Sequence, residues 1–395
     1  MTTFDVIVLG LGAHGAATVY QLARLGARVL GIDKHKPPHK NGSSHGDSRI
    51  TRLACGEGPA YSKYARRSHE IWRELEGVTG KPLFMRNGLL VLTKSGQNAA
   101  HHGVKNFAAS TAKIARKEAL RYKTFRHEDI QRRFPAFQVS ERDRAYYDQV
   151  SGFVRPENCI EAQIMQAQEL GAKLRFHEEV ISFRQVEHAV EVTSNHGRYS
   201  ADQLVVTAGP WLPELLPREF AGRFRRLRQV QLWFRARDAR THKRFSPERF
   251  PVFIWQLAHG TLYGFPALGS FEEGIKVATE VDDDTTPETV DRKVPPHAVQ
   301  KFFDDFVVPH LPGLSPDCVR NEVCLYTTTA DSRFILDRLP ERERIIIASP
   351  CSGHGFKHSA AIGEKLAKMA YESEAPDPMF LWDAPPALLP SSTPR

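Results

Sequence analysis

Three observations in this 395-residue sequence predict an α/β (α+β) fold made of two interleaved domains. The chain opens with a buried strand, a glycine-rich turn and a helix. Strand-like segments dominate a long central stretch. A further buried strand, a loop with two glycines and a small-residue helix come near the end.

The opening segment "DVIVL" (Asp5 to Leu9) has the continuous apolar character of a strand covered on both faces. It runs into "GLGAHG", with Gly10, Gly12 and Gly15. The stretch "AATVYQLARLGA" places apolar residues at helical spacing, and "RVLGID" forms a second strand ending at Asp33. Together these make a Rossmann-like βαβ unit with GxGxxG at its first turn. Gly10 permits the tight turn, Gly12 lets a pyrophosphate approach the backbone, and Gly15 lets helix and strand pack closely. Asp33 stands where a carboxylate can accept hydrogen bonds from a ribose.

A polar, glycine-rich loop follows, "KHKPPHKNGSSHGDSRITRLACGEG", and then a predicted helix from Tyr61 to Glu76. Short strands and charged helices alternate over 84–140. "ADQLVVTAGPW" (Ala201 to Trp211) reads as another buried strand ending at a glycine. From Arg223 to Glu280 the pattern is strand-like: "VQLWFRA", "FPVFIWQ", "GTLYGFP", "GIKVATE". A helix is predicted from His297 to Val308, a strand near Ile345 and a helix from Ser359 to Tyr371. Nucleotide-binding features thus occur at both ends and in the middle. The expected division is a discontinuous dinucleotide-binding domain (1–83, 145–220, 320–384) interleaved with a mixed-sheet substrate domain (84–144, 221–319). The Pro/Ser-rich 385–395 is expected to be an extended tail.

Composition narrows the function classes. The chain is 41% hydrophobic and 25% charged, with a net charge of +8, so a large core and a basic surface follow. The densest charge run, "FRARDARTHKRF", lacks the interleaved aromatics of single-strand binders, and no nucleic-acid partner is expected. Five cysteines without CxxC spacing argue against a disulfide scaffold and a structural zinc site. His354 and His358 lie four apart without an HExxH pattern, so no metal is expected. There is no secretory signal pattern and no apolar run of membrane-spanning length, which predicts a cytoplasmic protein. Near the end, "SPCSGHGFKHS" puts His354 and Lys357 at a strand-to-helix switch, where backbone N–H groups can meet an anion.

Four stretches in order carry a specific resemblance: "GLGAHG", "HGDSRITR", "LYGFP…GIK" and "CLYTTTADSRFILD…SGHGFKHS". With them the chain resembles the monomeric sarcosine oxidase and N-methyltryptophan oxidase group of FAD-dependent amine oxidases, over essentially its whole length. The resemblance implies FAD bound at Gly10, Gly12, Gly15, Asp33, Ser43, Arg49, Gly353, His354, Gly355 and Lys357. It also implies a thioether from Cys324 to the flavin 8α carbon; on its own Cys324 reads as a buried strand cysteine. By the same resemblance, His45 and Arg49 lie beside the flavin ring and Lys276 activates oxygen. Arg52 and Lys357 bind the substrate carboxylate, and Tyr263 and Tyr326 line the substrate pocket.

The implied activity is oxidation of a secondary amino acid, such as sarcosine or N-methyl-L-tryptophan, by a monomer acting on a small molecule and O2. A cyclic substrate such as L-pipecolate or proline, or a dehydrogenase with another acceptor, are the alternatives. A nicotinamide enzyme would explain GxGxxG but leave Cys324 and "SGHGFK" unused. Departures cluster at the expected pocket and leave the identity of the amino acid open. Glu280 replaces a family histidine, Cys55 replaces an aromatic, and the segment from Gly264 to Lys276 is longer. Glu280 is expected either to meet an extra cation on the substrate or to pair with Lys276.

Overall fold

A computed structural model of the chain describes residues 3–96, 100–102 and 104–384. Strand Thr3–Leu9 lies inside an eight-stranded sheet, parallel to Val29–Asp33 on one side and to Arg198–Val206 on the other. Its Val6, Ile7 and Val8 are fully buried, as a strand covered on both faces requires. Arg198–Val206 divides its length between two neighbours. Its first half pairs antiparallel with Val190–Ser194, and its last residues pair parallel with Arg342–Ser349.

Helix Ala13–Arg24 covers this sheet and packs on helix Ser359–Tyr371. Small residues let the two backbones approach: a Cβ on Gly363 would lie 2.3 Å from the Cβ of Ala17. This contact explains the small-residue character of the last helix and brings the two ends of the chain together.

The second eight-stranded sheet runs in the order Leu314–Thr328, Arg225–Ala236, Ile275–Thr279, Gly260–Gly264, Val252–Leu257, Leu89–Lys94, Asp143–Asp148, Tyr122–Arg126. It is mixed, because Val252–Leu257 pairs parallel with Leu89–Lys94 while its other pairings are antiparallel. The expected domain boundaries at 145 and 320 fall inside two of its strands, Asp143–Asp148 and Leu314–Thr328. One face buries an aromatic cluster in which Phe137 stacks on Phe250 with ring centroids 4.6 Å apart.

The helix expected from His297 to Val308 is α-helical over Pro296–Phe302 and continues as a wider π turn, Phe303–Val307. That turn carries Phe303 and Val307 into the second core. The segment 385–395, expected to be extended, lies outside the described residues.

Candidate active site

The glycine turn builds one wall of a cavity of about 290 Å³. Gly10 has φ +86°, and a Cβ there would press on the Thr207 carbonyl oxygen at 2.6 Å. A Cβ on Gly15 would lie 1.7 Å from the Gly10 oxygen, so only glycine lets the helix sit this close to the strand. Gly12 differs. Its nearest neighbour to an added Cβ is Ser44 Oγ at 3.9 Å, and the residue faces the cavity. Asp33 closes the turn: Oδ2 accepts from the Leu11 N–H (2.6 Å) and Oδ1 from the His35 N–H (2.7 Å). Burial pushes its carboxyl up to about 6. Ser43, Arg49, Gly353 and Gly355 also line this cavity.

A second, smaller cleft of about 70 Å³ adjoins it, sharing Arg49, Tyr326, Gly353 and Phe356 as a common wall. Arg49 is held by the carbonyls of Ser48 (2.8 Å) and Ser43 (2.9 Å). Lys276 comes from the buried strand Ile275–Thr279, and its Nζ donates to the carbonyls of Gly46 (2.7 Å) and Ser48 (3.0 Å). Burial pulls it well below the ordinary ammonium value. The Tyr326 hydroxyl bonds to that of Tyr263, and burial raises both phenols above their ordinary value.

Arg52 and Lys357 converge on one carboxylate, and it belongs to the protein. Glu57 Oε1 accepts from Arg52 (2.6 Å) and Lys357 (3.1 Å) and meets His102 Nδ1 at 3.2 Å. Burial opposes the charge of Glu57, but Arg52 and Lys357 hold it well below the usual carboxylate range. Lys357 is lowered by burial to about 8, with Glu57 working in the other direction.

The match to the FAD dependent oxidoreductase family spans residues 5–369. The chain belongs to this family. This flavoenzyme is 36% identical over 386 residues to monomeric sarcosine oxidase of Streptomyces avermitilis, covering 96% of this chain and 97% of the relative. It is 32% identical over 380 residues to N-methyl-L-tryptophan oxidase of Yersinia pestis, covering 94% and 96%. Among solved structures it resembles NikD, described as an unusual amino acid oxidase essential for nikkomycin biosynthesis. That likeness has a TM-score of 0.80 at 24% identity and covers 95% and 96% of the two chains. L-proline dehydrogenase from P. horikoshii shares the fold with a TM-score of 0.77 at 21% identity, covering 94% of each chain.

The flavoenzyme's own residues fit FAD. Gly12 leaves open space for a pyrophosphate, and Ser43 Oγ and His45 Nε2 are buried polar atoms without a partner in the protein. His45 Nδ1 is tied to Glu322 at 3.0 Å, and Glu322 also takes Lys40. Burial works against that carboxylate, yet His45 and Lys40 hold it at about 2. Cys324 lines neither cavity. It is 1% exposed, and its Sγ accepts a hydrogen bond from Gln231 Nε2 at 3.1 Å. The next residue, Leu325, ties its strand to the Gly42 carbonyl, and Tyr326 reaches both cavities. Cys351 does line the dinucleotide cavity. His354 and Lys357 line the small cleft rather than the dinucleotide cavity, and His354 stacks on Phe334.

One expected pairing is replaced. Glu280 does not pair with Lys276, whose amine is turned to the Gly46 and Ser48 carbonyls. It meets His102 Nε2 (2.8 Å) and His101 Nδ1 (3.3 Å) instead. Sequence reading missed Glu57, His101 and His102. The available signals were an acid in "CGEGP" close behind Arg52 and a histidine pair in "AAHHG". Cys55 is fully buried, and burial pushes its thiol up to about 11, which makes it an inert filler. Among the described residues no helix is long and apolar enough to cross a membrane.

Proposed function

We propose that the protein oxidises a secondary amino acid, an N-methyl amino acid, with oxygen as final acceptor. The products are formaldehyde, the primary amino acid and hydrogen peroxide. The observation that carries the reading is the Arg52–Lys357 pair gathered on one carboxylate beside the cofactor cavity. A substrate carboxylate takes the place of Glu57, exchanging one anion for another on two buried cations. This fixes the amino acid by one end, so its nitrogen and the adjacent C–H face the wall shared with the larger cavity. FAD, when bound, would supply a two-electron acceptor for the hydride and a route for those electrons to oxygen. Lys276, buried and donating to the Gly46 and Ser48 carbonyls, stands where its amine offsets the negative charge that oxygen gains. Arg49 adds a fixed positive charge on the common wall.

Cys324 is proposed as the attachment point for the flavin 8α carbon. A thioether there would replace the Cys324 S–H and a methyl C–H with an S–C bond, with oxygen as the two-electron oxidant. For this the Gln231–Cys324 contact must open. We also propose that the enzyme is a cytoplasmic monomer: its cysteines are free, and several relatives are named monomeric. The proposed domain division keeps both eight-stranded sheets whole, with boundaries after 148 and 328.

Acid precipitation of the purified holoprotein tests the attachment. Yellow colour should stay in the pellet and move to the supernatant in Cys324→Ala; colour released from the unmodified protein would sink the thioether. A peroxide-coupled screen of N-methyl amino acids tests the reaction, with pipecolate and proline as the cyclic arm. Absence of peroxide from the N-methyl compounds would overturn the substrate class.

A further inference from the structure

Glu280 forms a wall of the small cleft and has no task in the reaction as proposed. A quarter of its side chain is exposed (25%), against 4% for His101 and 9% for His102. The two imidazoles lie with centroids 3.8 Å apart, tilted 35° to one another, and each meets one carboxylate oxygen, while Phe107 backs the His101 ring at 4.6 Å. Gly353 presses from the other side: a Cβ there would stand 2.9 Å from His102 Nε2. The carboxylate is therefore held in place while its remaining lone pairs face the cleft. The far nitrogen of His102 touches Glu57, so a single imidazole separates Glu280 from the carboxylate seat at Arg52 and Lys357. The rest of the cleft wall nearby is apolar or aromatic, with Ile254, Tyr263 and Phe265.

We infer that Glu280, held by His101 and His102, is a second subsite that takes a nitrogen donor on the substrate's side chain. This rests on the carboxylate seat of the proposed function. It narrows the substrate to an amino acid whose side chain ends in an ammonium or another N–H group a few bonds from the carboxylate. The charge of Glu280 is secured in spite of burial by His102 and His101. The three ligating atoms lie within 4.8 Å of one another, a spacing a divalent metal could also use. The neighbouring Arg52 guanidinium, which already acts on His101, makes a doubly charged ion the poorer occupant. An N–H donor adds at most one charge and needs one acceptor.

The test uses the holoenzyme and two pairs of redox-inert carboxylates, hexanoate with 6-aminohexanoate and pentanoate with 5-aminopentanoate, titrated by their perturbation of the flavin absorption. At least one amino compound should bind about tenfold or more tightly than its apolar partner, the scale of one charge-assisted bond. In Glu280→Gln that ratio should fall to about one. If this variant fails to load flavin, Glu280→His, the residue expected in relatives, takes its place. A ratio of one in the unmodified enzyme overturns the inference, and so does a ratio that survives both substitutions. Failure of all four carboxylates to bind overturns the seat and the subsite together. Anaerobic flavin reduction by Nα-methyl-L-lysine and N-methyl-L-norleucine separates the two readings. If neither reduces the flavin while the aminohexanoate preference holds, the subsite stands and the proposed oxidation falls.

Discussion

Replacing Lys357 with Met removes a cation while keeping the length of the side chain. Lys357 is 2% exposed, and its Nζ donates to Glu57 (3.1 Å) and to the His354 carbonyl (2.8 Å). A hydrogen bond to a charged group is worth roughly 1.5–3 kcal/mol, so the Kd of a simple carboxylate such as hexanoate should rise about 10–150-fold. The lower end is expected, because the ligand displaces Glu57, and Glu57 loses the same partner. The pH dependence sharpens the test. Burial lowers Lys357 to about 8, so its ammonium holds a carboxylate below that pH and loses its charge above it. Kd in the unmodified enzyme should therefore climb as pH rises through about 8, approaching about tenfold per pH unit once the amine is neutral. The Met variant should lack that rise. Flavin absorbance titrations from acidic to alkaline pH read both effects. An unchanged Kd in Lys357→Met, together with a flat profile in the parent, would refute the carboxylate seat.

Lys276→Met should slow reoxidation by oxygen about 10²–10³-fold and affect anaerobic flavin reduction less; stopped-flow measurement of the two half-reactions separates them. Asp33 predicts opposite pH trends for stability and for cofactor binding. Its folded carboxyl, at about 6, holds a proton that the unfolded chain gives up near 3.8, so this group's contribution to stability is largest below about 4 and declines as pH rises to about 6. Ribose hydroxyls donate to the ionised form, so FAD affinity of Cys324→Ala apoprotein should strengthen through that same range, and Asp33→Asn should flatten it. Gly15→Ala should lose bound flavin and thermal stability, because its Cβ meets the Gly10 oxygen at 1.7 Å. Gly77→Ala, with nothing within 4 Å in helix Pro59–Thr79, should gain about 0.5–1 kcal/mol. Calorimetry and the flavin-to-protein absorbance ratio check the pair.

Local chemistry made the dinucleotide site legible. Gly10, Gly15 and Asp33 act within one turn, where their spacing alone fixes what they do. The last helix was equally plain, because its small residues leave a pattern in the chain itself. Lys276 was harder. Every residue of Ile275–Thr279 is buried, so alternation could not say which face holds the site. The domain boundaries at 145 and 320 cut strands because pairing in the second sheet depends on partners far away in sequence. Glu57, His102, Glu280 and Lys357 meet across separations of 45, 178 and 300 residues, from loops and element ends with no periodicity. Nearness in sequence misled for Glu280: Lys276 is four positions away, yet its amine is spent on the Gly46 and Ser48 carbonyls.

The parallel pairing of Arg198–Val206 with Arg342–Ser349 bears on how the protein is made. The glycine turn leaves the ribosome long before Ala348 to Phe356, which build part of its cavity. At a synthesis rate of about 5–20 residues per second, tens of seconds separate the two. Through that interval the nascent chain carries an opening strand and helix whose apolar faces await partners not yet translated. Cofactor loading then waits for the segment from Ala348 to Phe356. A message cut short before Ala348 would yield a chain that has its nucleotide fingerprint and lacks part of the wall of its cavity.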